Sequence, residues 1–162
     1  AEVPAGAELV AREYRPEDLQ GATLVFACTG DAALNARVAA DARAAGALVN
    51  AVDQPDDCDF YAAATVRDGD VVVAVGTGGG APALSRRLKD AVAAALPERA
   101  GEFAAAVAAC RQLLRDKVAD STQRMSLADR VAGPEGYDAF MSGGPEAVVR
   151  LAERLLESRP IE

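Results

Sequence analysis

The sequence predicts an α/β fold in which a short parallel sheet is followed by a β-hairpin and a small helical domain. Three observations predict it. Residues 23–52 run apolar strand, turn, amphipathic helix, apolar strand, and two strands joined by such a helix pair in parallel. Asp68-Gly69 sits between two β-branched runs, the signature of a tight antiparallel connection. From Pro82 onward the apolar residues recur at helical spacing.

Taken in order, Glu8–Tyr14 reads as a strand, and Pro16 suits the first turn of a helix. Thr23–Cys28 is a continuous apolar run, expected of a strand buried on both faces. Thr29-Gly30-Asp31 supplies a turn and an N-cap. Leu34, Val38 and Ala42 then mark a helix over 32–45, which Gly46 stops. Leu48–Val52 is the next strand. Ala63–Arg67 and Val71–Val75 form the hairpin. After the loop Gly76–Pro82 a helix runs to Leu96, ahead of Pro97. Phe103, Val107, Cys110, Leu114 and Val118 make one helical stripe; Met125, Leu127 and Val131 a shorter one. The last helix is expected to start at Gly143-Gly144-Pro145 and to carry Val148, Val149, Leu151 and Leu155. No internal repeat is present.

Composition narrows the chemistry. The chain has 162 residues and a net charge of −8, enough for a real core and unsuited to nucleic acid as the main partner. It contains no histidine, which excludes imidazole bases, His-ligated metals and Ser-His triads. The three cysteines are odd in number and widely spaced, a pattern of reduced thiols and not of a disulfide framework or a zinc site. No apolar run reaches membrane-spanning length and no basic-then-apolar segment opens the chain. A soluble cytoplasmic protein is expected.

Two segments can carry function. Gly76–Pro82 follows a strand and precedes a helix, the setting of a phosphate-cradling loop. It lacks the Lys-Ser/Thr of a P-loop and the spacing of a dinucleotide fingerprint, so ligand contact and structural turn both stand. Asp53, Asp56, Asp57 and Asp59 cluster around Pro55, and most such carboxylates are solvated. Asp53 differs because it directly follows an apolar strand and Asn50. Ligands collect outside the carboxyl ends of strands in open α/β sheets, and burial there would suit Asp53 to general acid/base work. Asp31 could face the same crevice, but the N-cap is the better reading. Cys28 and Cys58 read as small hydrophobes, since no base can be named for either.

The order of motifs resembles a known family. Leu24–Asn35 is similar to a strand ending in Ala-Ala-Thr-Asp-Asp with an Asn in the following helix. Val49-Asn50-Ala51-Val52-Asp53 resembles Val-Asn-Val-Val-Asp, and Cys58-Asp59-Phe60 matches the Cys-Asp-Phe after it. Gly76–Arg86 resembles Ser-Thr-Gly-Gly-x-Ser-Pro-x-Leu-Ala-Arg. Together these resemble precorrin-2 dehydrogenase, the NAD-dependent module of siroheme synthase, which in some members is also a sirohydrochlorin ferrochelatase. The resemblance implies a partial Rossmann-like domain over 1–60. It further implies a dimerisation hairpin, Gly-rich loop and helix over 61–97, and a helical domain over 98–162. Asp53 would be the catalytic base of dehydrogenation. Ala27, Thr29 and Asn50 would contact NAD. Thr77, Gly78, Gly79, Ala81, Arg67 and Arg86, with Arg87, would contact the carboxylate-rich tetrapyrrole. A homodimer is implied, and in bifunctional members Fe2+ is a substrate.

The sequence departs from the family pattern in three places. Gly30 stands where the family has its first Asp, and Ala81 where it has the Ser before Pro. The family's opening strand, Gly-rich loop, helix and second strand, roughly 30 or more residues, have no counterpart. That unit carries the pyrophosphate loop, so the strand at 23–28 is expected to have an open apolar edge that finds a partner. The unit is expected on the same polypeptide or on a separate chain. The alternative is a non-catalytic dimerising or tetrapyrrole-binding fragment.

Overall fold

The structure, a computed structural model, describes residues 6–158. It falls into two compact units: the residues up to Ala63 together with Gly76–Pro82, and Ala64–Val75 together with the residues from Ala83 on.

In the first unit, β1 (Leu24–Ala27), α1 (Ala32–Ala44) and β2 (Leu48–Ala51) form the expected strand–helix–strand. The strands are parallel, in register from Leu24 opposite Leu48 to Ala27 opposite Ala51. Asp31 caps α1 by accepting from the Ala33 and Leu34 N–H groups at 2.8 and 3.2 Å, the N-cap reading of the sequence. Val25, Ala27, Val49 and Ala51 point at α1, where Val38, Ala39 and Ala42 complete a small core. The expectation of a strand buried on both faces is corrected. Leu24, Phe26 and Leu48 are each more than half exposed, because α1 covers only one face of the sheet and no element covers the other among the described residues. Phe26 makes a T-shaped contact with Phe60, with ring centroids 5.2 Å apart.

The strand expected at Glu8–Tyr14 does not form; residues 7–15 lack regular structure. A strand needs a ladder partner, and among the described residues this segment pairs with nothing, while the sheet contains only β1 and β2. Leu9 is consequently 74% exposed. Pro16 does open a short 3-10 turn, Pro16–Leu19, which buries Leu19. Its Asp18 is held at a pKa of about 2 by the Arg12 guanidinium and the Arg15 N–H. Tyr14 anchors the segment, donating its hydroxyl to Asp41 Oδ2 at 2.9 Å.

Burial and the Asp41 carboxylate push the Tyr14 phenol up to about 12. The folded state therefore holds this proton more tightly than the unfolded chain, whose tyrosines titrate near pH ~10. The resulting stabilisation is present below pH ~10 and is lost as the pH rises toward the folded value. Titration of phenolate absorbance should show one of the three tyrosines ionising last, and Asp41→Asn should bring it down.

The second unit begins with a hairpin, β3 (Ala64–Asp68) and β4 (Val71–Val75), in register from Ala64 opposite Val75 to Asp68 opposite Val71. The turn residues are Gly69 and Asp70, one place later than the sequence signal. Asp68 instead reaches the helix that begins at Ala100, accepting from the Gly101 N–H at 2.9 Å. A Cβ at Gly101 would overlap the Asp68 carbonyl, so this close approach requires glycine.

Helices α2 (Pro82–Ala95), α3 (Ala100–Lys117), α4 (Ser121–Ala132) and α5 (Pro134–Glu157) follow. The predicted α3 stripe is the one that faces inward: Cys110, Leu114 and Val118 are buried and Phe103 and Val107 pack beside them. On α4, Leu127 and Val131 are buried, but Met125 is 67% exposed. Leu127 and Val131 are one turn apart, whereas Met125 lies about 200° from Leu127 around the helix. An additional helical stretch, not expected from the sequence, precedes the last helix and starts at Pro134, with Gly133 as N-cap. Gly143 and Gly144 interrupt it with non-helical backbone, and Pro145 restarts it. The helix expected from Gly143-Gly144-Pro145 is thus the second half of α5, set off from the first by a kink.

Candidate active site

The site is built on the C-terminal end of β2. The Gln54 N–H bonds to the Ala51 carbonyl at 3.2 Å, closing a turn in which Asp53 has φ +60°. Left-handed backbone costs a non-glycine residue roughly 1–2 kcal/mol, least for Asn and Asp. Asp53 is exposed, contrary to the burial expected from its place after an apolar strand. The turn lifts it clear of the sheet.

The outer edge of β2 is closed by the segment that follows. Asp59 pairs with Val49 through both its N–H (2.7 Å) and its Oδ2 (2.9 Å). The Cys58 thiol accepts from the Ala51 N–H at 3.3 Å and donates to its carbonyl at 3.1 Å. Asn50 Nδ2 donates to the Phe60 carbonyl at 2.8 Å. Cys-Asp-Phe thus serves as a substitute strand. The Val49 N–H and Arg43 together hold the Asp59 carboxyl below its usual range, so this acid is engaged and is not one of the solvated loop carboxylates.

The glycine loop folds on itself. Thr77 Oγ1 accepts from the Ala81 N–H at 3.2 Å, and the Thr77 carbonyl from the Gly80 N–H at 3.2 Å. Gly79, at φ +79°, lies so close to the Tyr61 ring that any Cβ would overlap it. Gly79→Ala should therefore cost about 1–3 kcal/mol for the backbone alone, with the ring overlap in addition. A fall in melting temperature and a shifted Tyr61 signal would check this; an unchanged melt would contradict it.

Asn50, Asp53, Gln54, Tyr61, Thr77 and Gly79 line one cavity of about 220 Å³. Four of these were read from the sequence. Gly78 and Ala81 sit on the same loop without lining it. Ala27 is buried in β1 with its carbonyl taken by the Val52 N–H at 3.0 Å. Thr29 is occupied by Asn35, whose side-chain oxygen accepts from its N–H (3.0 Å) and Oγ1 (2.7 Å). Arg67 on β3 and Arg86 and Arg87 on α2 are exposed in the second unit.

Sequence reading missed Gln54 and Tyr61. Gln54 Nε2 donates to the Ala32 carbonyl at 3.0 Å, while its Oε1 is buried with no partner among the described residues. An unsatisfied buried acceptor costs ~1–3 kcal/mol. Adjacency to Asp53 was the available signal for Gln54.

A parallel strand–helix–strand with a carboxylate at its C-terminal edge defines the class, an α/β protein with part of a Rossmann-like sheet. The family described as "Putative NAD(P)-binding" matches residues 1–64. A siroheme synthase of Pseudomonas putida F1 is 35% identical over 158 residues, covering 97% of this chain and 34% of the relative. One from Methylococcus capsulatus (Bath) is 34% identical over 138 residues, covering 85% and 29%. The chain thus spans about a third of the length of these relatives. A solved structure of "SirC, precorrin-2 dehydrogenase" shares the fold, with a TM-score of 0.65 at 18% identity, over 88% of this chain and 69% of that one. By sequence the chain is thus similar to about a third of siroheme synthase, and by fold to precorrin-2 dehydrogenase.

Proposed function

We propose that this chain carries the dehydrogenase centre of siroheme biosynthesis, converting precorrin-2 to sirohydrochlorin with NAD(P). The observation that carries the reading is the shared cavity: Asp53 and the Gly-rich loop meet in one place. A bound nicotinamide supplies the hydride acceptor. Asp53, as carboxylate, takes the proton that leaves the macrocycle with that hydride, so the substrate loses two electrons and two protons in all. Gln54 Oε1, a buried acceptor on the cavity wall, would accept an N–H of the bound cofactor. Asn50 holds the Phe60 carbonyl and so fixes the wall of the cavity. Asp31 already fills the N-terminus of α1, so that helix has no room for a phosphate. The pyrophosphate contacts would come from a strand–helix unit seated along the open edge of β1.

The hairpin leaves both outer edges unpaired among the described residues, with Val72 on β4 and Leu84 and Leu88 on α2 exposed. This supports a homodimer, in which a second copy would cover these groups. The test is NAD(P)⁺-dependent conversion of precorrin-2, followed by absorbance, with the full-length natural protein. Turnover supports the reading. Binding of the tetrapyrrole without turnover, in the presence of NAD⁺ or NADP⁺, would leave a tetrapyrrole-binding module instead.

A further inference from the structure

A cavity of the second unit shares no residue with the candidate active site. It is a groove of about 750 Å³ between α3 and α4, within the range of small-molecule sites. Its floor is apolar and buried, with Cys110, Leu114 and Val131 each no more than 2% exposed. Alanines at 104, 108 and 128 leave room above that floor.

The two ends of the groove differ. A three-residue connection separates α3 from α4, so α4 runs back along α3. This places Arg111, Arg115 and Arg124 toward one end, and Val71, Leu96 and Phe103 at the other. From Ala100 to Arg111 the groove follows α3 for about 16 Å. Arg124 is partly used, donating to the Val118 carbonyl at 2.8 Å. Arg111 and Arg115 are exposed and make no ion pair or side-chain hydrogen bond among the described residues. In a chain of net charge −8, three cations around the mouth of an apolar groove are a local reversal of sign.

We propose that this groove binds an apolar monocarboxylate, a fatty-acid-like molecule. Its tail lies along α3 toward Phe103, and its carboxylate is held by Arg111 and Arg115. Guanidinium groups pair with a carboxylate through two parallel hydrogen bonds, and the tail displaces water from the buried floor.

The probes are dodecanoate and dodecyltrimethylammonium, both below their micelle concentrations, titrated calorimetrically into the full chain. Dodecanoate should bind with one-to-one stoichiometry and at least about tenfold more tightly than the cation. The double variant Arg111→Glu/Arg115→Glu should weaken dodecanoate by about tenfold or more at unchanged helical circular dichroism. Ala108→Trp, at an exposed groove position, should block the tail and abolish binding of both. Equal affinity for the two probes would overturn the proposal, as would variants that bind like the parent. A change in oligomeric mass on Ala108→Trp would also overturn it, by showing that a second copy fills the groove.

Discussion

Asp53→Asn is expected to lower kcat for the proposed dehydrogenation by about 10²- to 10⁴-fold, the contribution of a positioned general base, with the melting temperature nearly unchanged. Asparagine tolerates the left-handed backbone of position 53 and keeps the shape of the side chain while removing its basicity. Asp53→Gly separates chemistry from folding in the opposite direction. It releases the strain of φ +60°, about 1 kcal/mol, so it should raise stability slightly while the activity still falls. A non-glycine residue in a conformation that glycine would relieve supports the proposed role of its side chain. Near-normal turnover in both variants would remove Asp53 from the proton transfer. Loss of turnover accompanied by a large fall in melting temperature would assign it to the turn alone.

The sequence made the local logic of the fold readable where one residue decides the outcome. Asp31 had two readings, crevice carboxylate and N-cap, and the better of them holds: it caps α1. The 3.6-residue stripe through Cys110, Leu114 and Val118 had one inward solution. What failed depended on partners distant in sequence. Glu8–Tyr14 has strand composition, but a ladder needs a second strand, and pattern reports only the willing side. Burial of Asp53 was inferred from the strand before it, whereas the turn that exposes it is set by the bond between Gln54 and Ala51. Cys58 and Asp59 read as a small hydrophobe and a solvated acid because their partners are backbone groups of β2, which leave no mark in sequence. The first half of α5 was hidden by Gly136, Gly143 and Gly144. Those glycines look like a loop, yet Gly136 is demanded by contact: a Cβ there would run into the Val131 carbonyl.

That hidden half-helix carries the second large effect. Phe140 is completely buried and is the residue on which α3 and α5 converge. Its ring lies 5.5 Å from that of Phe103 and 6.4 Å from that of Tyr137, and the Arg99 guanidinium sits 4.6 Å from its centroid. Phe140→Ala should destabilise the helical unit by about 3–5 kcal/mol, the combined loss of transfer energy and the cavity left behind. In a chain of this size that is a fall in melting temperature of roughly 10 °C or more. The aromatic near-ultraviolet circular dichroism should weaken too, because Phe103 and Tyr137 lose their common neighbour. Phe140→Leu fills most of the space and should fall between the parent and Ala. The ordering matters more than the absolute value. A void explains a large Ala effect with a smaller Leu effect, whereas loss of the Arg99–ring contact alone would make the two variants equal. Arg99→Lys isolates that contact: it keeps the charge near the ring, gives up the planar stacking of the guanidinium, and should change the melt far less than Phe140→Ala.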